Sequence, residues 1–339
     1  ELATTMSDSV KERIYFDERW MGDHGIGRFA REVNQRLKFP PADLKGSPVQ
    51  PLDPLRLSFY LALNDVYLIS PGFNSPLFGG KRFIPTIHDL NHIDTGSGLL
   101  RSLYYRLILK RACQRAPLIL TVSNFSRKKI VDWAGVSPAK VVNVGNGLSP
   151  AFATTGTIYN PGYRYLLCIG NRKPHKNEER VVQAFARAGI DSAIRLVFNG
   201  EPSPRLIDVA MQERVDRRIV FLGPMDDEKL ASVYRGGIAL IFPSLYEGFG
   251  FPVIEAMASG IPVLTSSTTS LPEVAGSAAL LVEPSSTEEI AAGIHEIVTN
   301  MMLRESLIQR GFEQSARFTW DKVADKILDA LTQSLGGHL

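Results

Sequence analysis

Short apolar runs alternate with stretches of helical period along almost the whole chain. In the first half, "RIYF", "VYLIS", "FIPTI" and "LILTVS" are continuous apolar runs of strand length. Between them, "GRFAREVNQRL" and "LLRSLYYRLILKRACQRA" repeat apolar positions at the spacing of an amphipathic helix. In the second half, "YLLCIG", "IRLVFNG", "RIVFLG", "IALIFPS", "IPVLTS" and "AALLVE" read as strands, and "EERVVQAFARAG", "DDEKLASVYRGG" and "TEEIAAGIHEIVTN" as helices. Strands buried on both faces and separated by helices belong to parallel sheets, so the chain is expected to be α/β. The second half has strands enough for a complete doubly wound domain, and the first half makes a separate one.

The junction is placed in "GLSPAFATTGTIYNPG", rich in Gly, Thr and Pro. This divides the chain into a domain over residues 1–155, a second over 156–318 and a C-terminal helix over 319–339, with Thr319 as N-cap. The helix is expected to pack back on the first domain. Residues 39–54, "FPPADLKGSPVQPLDP", hold five prolines and read as a long surface loop.

Composition narrows the class. The 339 residues are 44% hydrophobic and 22% charged, with a net charge of +3. That is an ordinary globular balance, without the dense basic footprint of a general nucleic-acid binder. Cys113 and Cys168 form no redox pair and no zinc cluster, which suits reduced thiols in a cytoplasmic protein. No stretch reaches the roughly 18 apolar residues of a membrane span. The opening "ELATTMSDSV" lacks a signal-peptide layout and is set aside from the fold.

Ligands of open parallel sheets bind outside the carboxyl ends of the strands, and two such sheets facing each other would make a cleft. The chain's chemistry gathers after its strands. "SLYEGFGFPVIEAMASG" places Glu247 before Gly248 and Gly250, and Glu255 about one turn into the helix that begins near Phe251. Glycines let backbone approach a ligand, and the amides of a helix start favour a phosphate. Carboxylates on both sides can accept from hydroxyls. A ligand with hydroxyls at both ends and phosphates between them, such as a nucleotide-sugar, fits that layout. As an isolated pair the glutamates would read as a solvated helix face and a loop charge; the long surrounding segment changes that.

The long segment "EGFGFPVIEAMASGIPVL", with its Glu-x7-Glu spacing, resembles the signature of the family 4 retaining glycosyltransferases. Further similarities follow in order: "DERWMGDHGIGRFAREV" to the N-terminal glycine loop, "PTIHDL" to the acceptor-side histidine, "IGNRKPHKN" to the diphosphate-binding turn, and "SLPEVAG" to the segment after the signature strand. The resemblance implies a GT-B fold, two doubly wound Rossmann-like domains facing across a cleft. It implies that Glu247 contacts the donor sugar and Glu255 the ribose. Arg172 and Lys176 would hold the leaving diphosphate, and His88 would lie near the transferred sugar. Gly170, Asn171, Gly248, Phe249, Gly250 and Phe251 would line the donor. His175 stands where the family commonly has Arg.

Gly25 and Gly27 match the dinucleotide pattern Gly-x-Gly-x-x-Gly/Ala, but "RIYF" ends well before them and the Pro-rich loop takes the place of the second strand. They are read as closing on donor phosphate or acceptor. Asn146 and Gly147 read as hinge or cleft-edge residues, and Ser123 as a helix cap. Residues 98–116 carry Arg101, Arg106, Lys110, Arg111 and Arg115 beside Leu103, Tyr104, Leu107 and Ile108. This is either a solvated basic face or a peripheral contact with anionic lipid at the inner face of the cell membrane.

The expected activity is that of a retaining hexosyltransferase working by front-face displacement. The donor would be GDP-mannose and the acceptor a growing, lipid-linked surface glycan. No Asp-x-Asp motif is placed to hold a divalent ion, so no metal or other cofactor is expected. A UDP-sugar or dTDP-rhamnose donor on the same fold is the second reading. A nicotinamide-dependent oxidoreductase and a silent binding scaffold are the readings from other classes.

Overall fold

The computed structural model describes residues 11–22, 24–94 and 99–336. The opening "ELATTMSDSV", Gly98 and the side chain of Arg101 lie outside them. The chain divides into two compact units, one of residues 1–147 with 319–339, the other of residues 148–318. The division falls earlier than residue 155 because the intervening segment is held by the second unit. Arg235 donates through Nε to Thr157 O at 2.8 Å and through NH1 to Ala153 O at 3.0 Å, and Phe152 packs edge-on against Tyr234.

Among the described residues, the first unit holds five parallel strands in chain order: β1 (Ile14–Phe16), β2 (Tyr67–Ser70), β3 (Phe83–Ile87), β4 (Ile119–Thr121) and β5 (Val141–Asn143). Helix α1 (Gly25–Leu37) leaves β1 and returns to its free edge, where Phe16 N donates to Pro40 O and Ala42 N to Phe16 O, both at 2.9 Å. Helix α2 (Asp53–Leu63) then carries the chain to β2 on the other side of β1. The direction of winding therefore reverses at β1. Pro40 and Pro41 have no amide hydrogen, so the edge stops at a single bridge instead of a sixth strand.

Two elements here are not legible from pattern. The Pro-rich stretch is a loop only to residue 52, because Pro54 enters the first turn of α2, where a missing donor costs nothing. Strand β5 is only three residues long. The helical run after β3 is Leu99–Tyr104, a π-helical turn Tyr105–Leu109, and Lys110–Arg115, together α3. It buries Tyr105, Leu109, Ala112 and Cys113. The stripe marked by Leu103 and Leu107 faces outward instead, with those two side chains 49% and 45% exposed. Two apolar stripes compete in this run, and spacing alone does not choose between them. Burial pushes the Cys113 thiol up to about 12, so it stays a packed, uncharged side chain.

Helix α4 (Asn124–Ala134) is capped by Ser123, whose hydroxyl accepts from Ser126 N, and closed by Gly135 at φ 66°.

The second unit holds six parallel strands: β6 (Tyr165–Cys168), β7 (Arg195–Phe198), β8 (Ile219–Phe221), β9 (Leu240–Phe242), β10 (Val263–Ser266) and β11 (Ala279–Val282). Their spatial order is β11-β10-β9-β6-β7-β8, so the winding reverses between β6 and β9. The helices between them are α5 (Glu178–Arg187), α6 (Pro204–Gln212), α7 (Asp227–Gly236), α8 (Phe251–Ala258) and α9 (Leu271–Ala275), and α10 (Thr287–Thr299) and α11 (Met301–Ser315) follow the last strand. One core joins Leu166, Phe185, Leu196, Ile241, Leu264 and Ile294.

Helix α12 (Trp320–Leu335) begins at its Thr319 cap and belongs to the first unit. Trp320 stacks edge-on with Phe29 of α1 at 6.1 Å, and Arg36 donates to Asp321 at 2.6 Å. Gly147 lies directly against Trp320. A Cβ there would fall 2.5 Å from its backbone nitrogen, so close approach dictates this glycine.

Candidate active site

In the second unit the reversal of winding brings two turns together at the carboxyl ends of β6 and β9. The first turn runs from Gly170 to Asn177, the second from Ser244 to Gly250. They are stitched through one carbonyl: His175 O accepts from Leu245 N at 2.7 Å and from Ser244 Oγ at 2.8 Å. Asn177 adds donations from Nδ2 to Pro243 O at 2.9 Å and Pro284 O at 2.7 Å. On this support Lys176 Nζ and Glu247 Oε1 meet at 2.6 Å. Both side chains are mostly buried, and the ammonium also lies over the Phe242 ring at 5.2 Å. A lysine ammonium has three donors, so this bond leaves two for another acceptor.

Arg172 is placed differently. Its backbone is left-handed, φ 62°. Its guanidinium pairs with Glu178 through NH1, donates through NH2 to Asn199 O and donates through Nε to Glu201 O at 3.0 Å. It also covers the rings of Phe198 and Phe221 at 5.5 and 5.4 Å. The structure thus joins Lys176 to Glu247 and ties Arg172 to the ends of β7 and α5. Burial pushes the Glu178 carboxyl above its ordinary value, and Arg172 and Lys176 pull it back. Gly170 sits under this carboxylate, where a Cβ would fall 2.3 Å from Glu178 Oε1, and its amide donates to Asn199 Oδ1 at 2.8 Å. Asn171 is exposed at the tip of the turn.

The glycine turn after β9 is held by Ser270, whose single hydroxyl hydrogen is shared between Glu247 O at 2.9 Å and Phe249 O at 2.8 Å. Gly250 has φ 114°, and a Cβ there would meet Leu271 at 2.7 Å, so the turn requires glycine. Phe249 packs against Phe251 and Phe318 as a core side chain, leaving its backbone as what the turn presents. Glu255 on α8 is 4% exposed, and its Oε2 accepts from the Tyr234 hydroxyl at 3.1 Å. Sequence reasoning missed Ser270, Tyr234 and Asn177. Each acts through one hydrogen bond or two reaching far along the chain, which no local spacing announces.

In the first unit His88 follows β3 and is half-buried. Its Nε2 lies 2.9 Å from Pro71 O, and its ring meets Phe29 edge-on at 5.1 Å. Burial holds its pKa below the ordinary value, against the raising influence of Pro71 and Asp89. Gly25 and Gly27 do not form a loop. They lie in the first turn of α1, where His24 caps the helix by accepting from Gly27 N at 3.0 Å. A Cβ on Gly27 would strike the backbone of Gly22 at 2.3 Å.

Parallel strands in this order, with helices between them and a reversal of winding, define a doubly wound Rossmann-like unit. A protein from Anabaena, solved in complex with UDP-glucose, superposes with TM-score 0.75 at 15% identity, covering 94% of this chain and 99% of its own. The fold is GT-B, with two Rossmann-like α/β units. The model of glycosyltransferase family 4 matches residues 18–152 and that of glycosyl transferases group 1 matches residues 158–314. O-antigen chain mannosyltransferase B of Escherichia coli is 32% identical over 267 residues, 74% of this chain and 70% of its own. A serotype-specific mannosyltransferase of Escherichia coli is 24% identical over 300 residues, 82% of this chain; the match spans only 36% of that longer protein. The chain belongs to glycosyltransferase family 4.

The Arg172–Glu178 pair yields a pH-dependent expectation. Arg172→Ala leaves a buried carboxylate without its partner and should cost about 3 kcal/mol at neutral pH. A carboxyl whose folded pKa is raised loses stability as pH rises through that value. The deficit should therefore be small near pH 4 and grow toward pH 8, read from urea midpoints of variant and parent at each pH. A deficit that does not change with pH would show that Glu178 is not the group left exposed to the loss.

Proposed function

We propose that the protein transfers a hexose from a nucleotide-sugar to a hydroxyl of a growing surface glycan, keeping the anomeric configuration. The observation that carries this reading is the Lys176–Glu247 contact at 2.6 Å, at the reversal between β6 and β9. In a nucleotide-sugar the sugar and the diphosphate meet at one bond. A carboxylate for sugar hydroxyls and a cation for phosphate oxygens must then lie side by side, as these two do. Breaking that bond builds negative charge on the diphosphate. A fixed ammonium in a mostly buried site stabilises that charge more than water would. Glu247 positions the sugar ring and favours its oxocarbenium character. Glu255, on the helix behind, holds the ribose. Arg172 serves the diphosphate through the turn that it anchors, with Gly170 and Asn171 lining it. The backbone of Gly248 to Phe251 meets the phosphates.

His88 orients the transferred sugar or the acceptor, with Gly25 and Gly27 opening the helix beside it. In front-face displacement a diphosphate oxygen helps remove the acceptor's proton. We assign GDP-mannose as donor, which the mannosyl transfer of the O-antigen relatives supports. A UDP-sugar remains the second reading, because the Anabaena structure holds UDP-glucose. Lys176 and the amides after Gly250 would supply the positive charge that meets the diphosphate.

We also assign a peripheral membrane contact to α3. Its outward face carries Leu103, Arg106, Leu107, Arg111 and Arg115, an apolar and basic stripe of interfacial type. Among the described residues no helix is long and apolar enough to cross a membrane. The protein would act at the inner face of the cell membrane.

Four outcomes test these assignments. Lys176→Ala should lower kcat with GDP-mannose by roughly 100-fold, the scale of one lost charge-stabilising donor, while EDTA leaves the parent's turnover unchanged. Equal turnover in the variant, or activity lost to EDTA and restored by Mg²⁺, would refute the corresponding role. By calorimetry, Glu255→Gln should weaken GDP binding and Glu247→Gln should not, because GDP lacks the transferred hexose that Glu247 contacts; the reverse pattern would exchange the two roles. Finally, Leu103→Glu/Leu107→Glu should abolish sedimentation with vesicles of phosphatidylglycerol and phosphatidylethanolamine, and unchanged sedimentation would remove α3 from the contact.

A further inference from the structure

The carboxyl end of the first unit's sheet holds a buried polar cluster with no part in the transfer chemistry assigned so far. Asp17 follows β1, and Asp53 opens α2; both are fully buried. The Arg19 guanidinium spans them, meeting Asp17 through Nε and NH2 at 2.8 Å each and Asp53 through NH1 at 2.6 Å. Asn74 completes the cluster and is 2% exposed. Its Nδ2 donates to Asp17 Oδ2 at 3.1 Å and to Asp53 Oδ2 at 3.0 Å. Its Oδ1 accepts from Trp20 Nε1 at 2.8 Å and from the Ser70 hydroxyl. Both amide hydrogens and both lone pairs are therefore used. A flipped amide would set its oxygen against two carboxylates and its NH₂ against the indole N–H, so only one orientation satisfies the site.

This clamp grips the loop that leaves β2. The loop comprises Pro71, Gly72 and Phe73, between Ser70 and Asn74. Ser70 Oγ also accepts from Gly72 N at 3.3 Å, and Gly72 lies so close to Trp20 that a Cβ would come within 2.3 Å of its ring. Phe73 packs edge-on against Trp20 at 5.1 Å, and its carbonyl accepts from the Tyr104 hydroxyl at 3.0 Å. What the loop, so held, presents to His88 at the end of β3 is the Pro71 carbonyl, 2.9 Å from His88 Nε2. A carbonyl only accepts, so the nitrogen facing it must carry the hydrogen. In the neutral ring, which burial favours, the lone pair then lies on Nδ1.

We propose that Asn74 is a positioning residue for the reaction. By fixing the Pro71 carbonyl it holds His88 in the Nε2–H tautomer, with Nδ1 as the acceptor offered to a sugar or acceptor hydroxyl. Asp17, Arg19, Asp53 and Trp20 are the frame in which that amide is locked. The consequence for catalysis rests on the proposed role of His88; the control of its tautomer does not.

The experiment uses the full chain with ¹⁵N-labelled histidine and long-range ¹⁵N–¹H spectra, the His88 signals assigned by their loss in His88→Ala. The parent should show His88 as the pure Nε2–H form. Asn74→Ala, and Trp20→Phe as the milder variant that removes one donor and keeps the bulk, should show a mixture of tautomers. A single Nε2–H form persisting in a folded variant of either kind would overturn the proposal. Turnover of GDP-mannose gives the second readout. Asn74→Ala should lower kcat about tenfold in the parent and leave it unchanged in His88→Ala, whereas a merely structural residue would lower both alike. If His88→Ala itself turns over at the parent's rate, the catalytic reading of His88 falls while the spectra still decide the positioning.

Discussion

One carbonyl oxygen, that of His175, joins the two turns on which the second unit's site is built. Where β6 and β9 diverge, no strand separates them, and the two turns beyond could move independently. His175 O removes that freedom by accepting from both Leu245 N and Ser244 Oγ. Asn177 and Ser270 extend the stitch in both directions through contacts with four neighbouring carbonyls. Only on such a base can a lysine and a glutamate 71 positions apart hold a 2.6 Å contact. The stitch is made by the backbone of residue 175, so it does not depend on which side chain stands there.

Much of this architecture is legible in the amino-acid sequence. The strands of the second unit are continuous apolar runs, because both faces of a parallel sheet are covered. "EGFGFPVIEAMASGIPVL" announces its turn and helix through glycines that only a left-handed backbone or a close neighbour explains, as Gly250 shows. The roles of single charges are less legible. Arg172 and Lys176 look equivalent in "NRKPHKN", yet one reaches back to Glu178, Asn199 and Glu201 and the other forward to Glu247. Which way a side chain leaves a turn depends on the backbone, and Arg172 has the left-handed φ that Lys176 lacks.

In the first unit the failures have the same origin. Pro-rich "FPPADLKGSPVQPLDP" reads as loop, although its last proline is a helix start. In α3 either apolar stripe could face the core, and tertiary packing decides for Tyr105, Leu109 and Cys113. The cluster around Asn74 is invisible to pattern because its members come from four separate stretches, residues 17–20, 53, 70 and 74. Long-range polar satisfaction is the part of a structure that local pattern encodes least.

The bridge at Phe16 and Pro41 has a consequence of another kind. The outermost strand of an open sheet ordinarily presents a row of free donors and acceptors, a template on which a foreign strand can grow. Here the edge of β1 is occupied by a segment that returns only the Ala42 amide and the Pro40 carbonyl to it. The two prolines cannot extend that pairing inward or pass it outward. A newly made chain emerging beside its copies thus offers no continuous rim at this edge for intermolecular strand exchange, and the sheet can grow only toward β5.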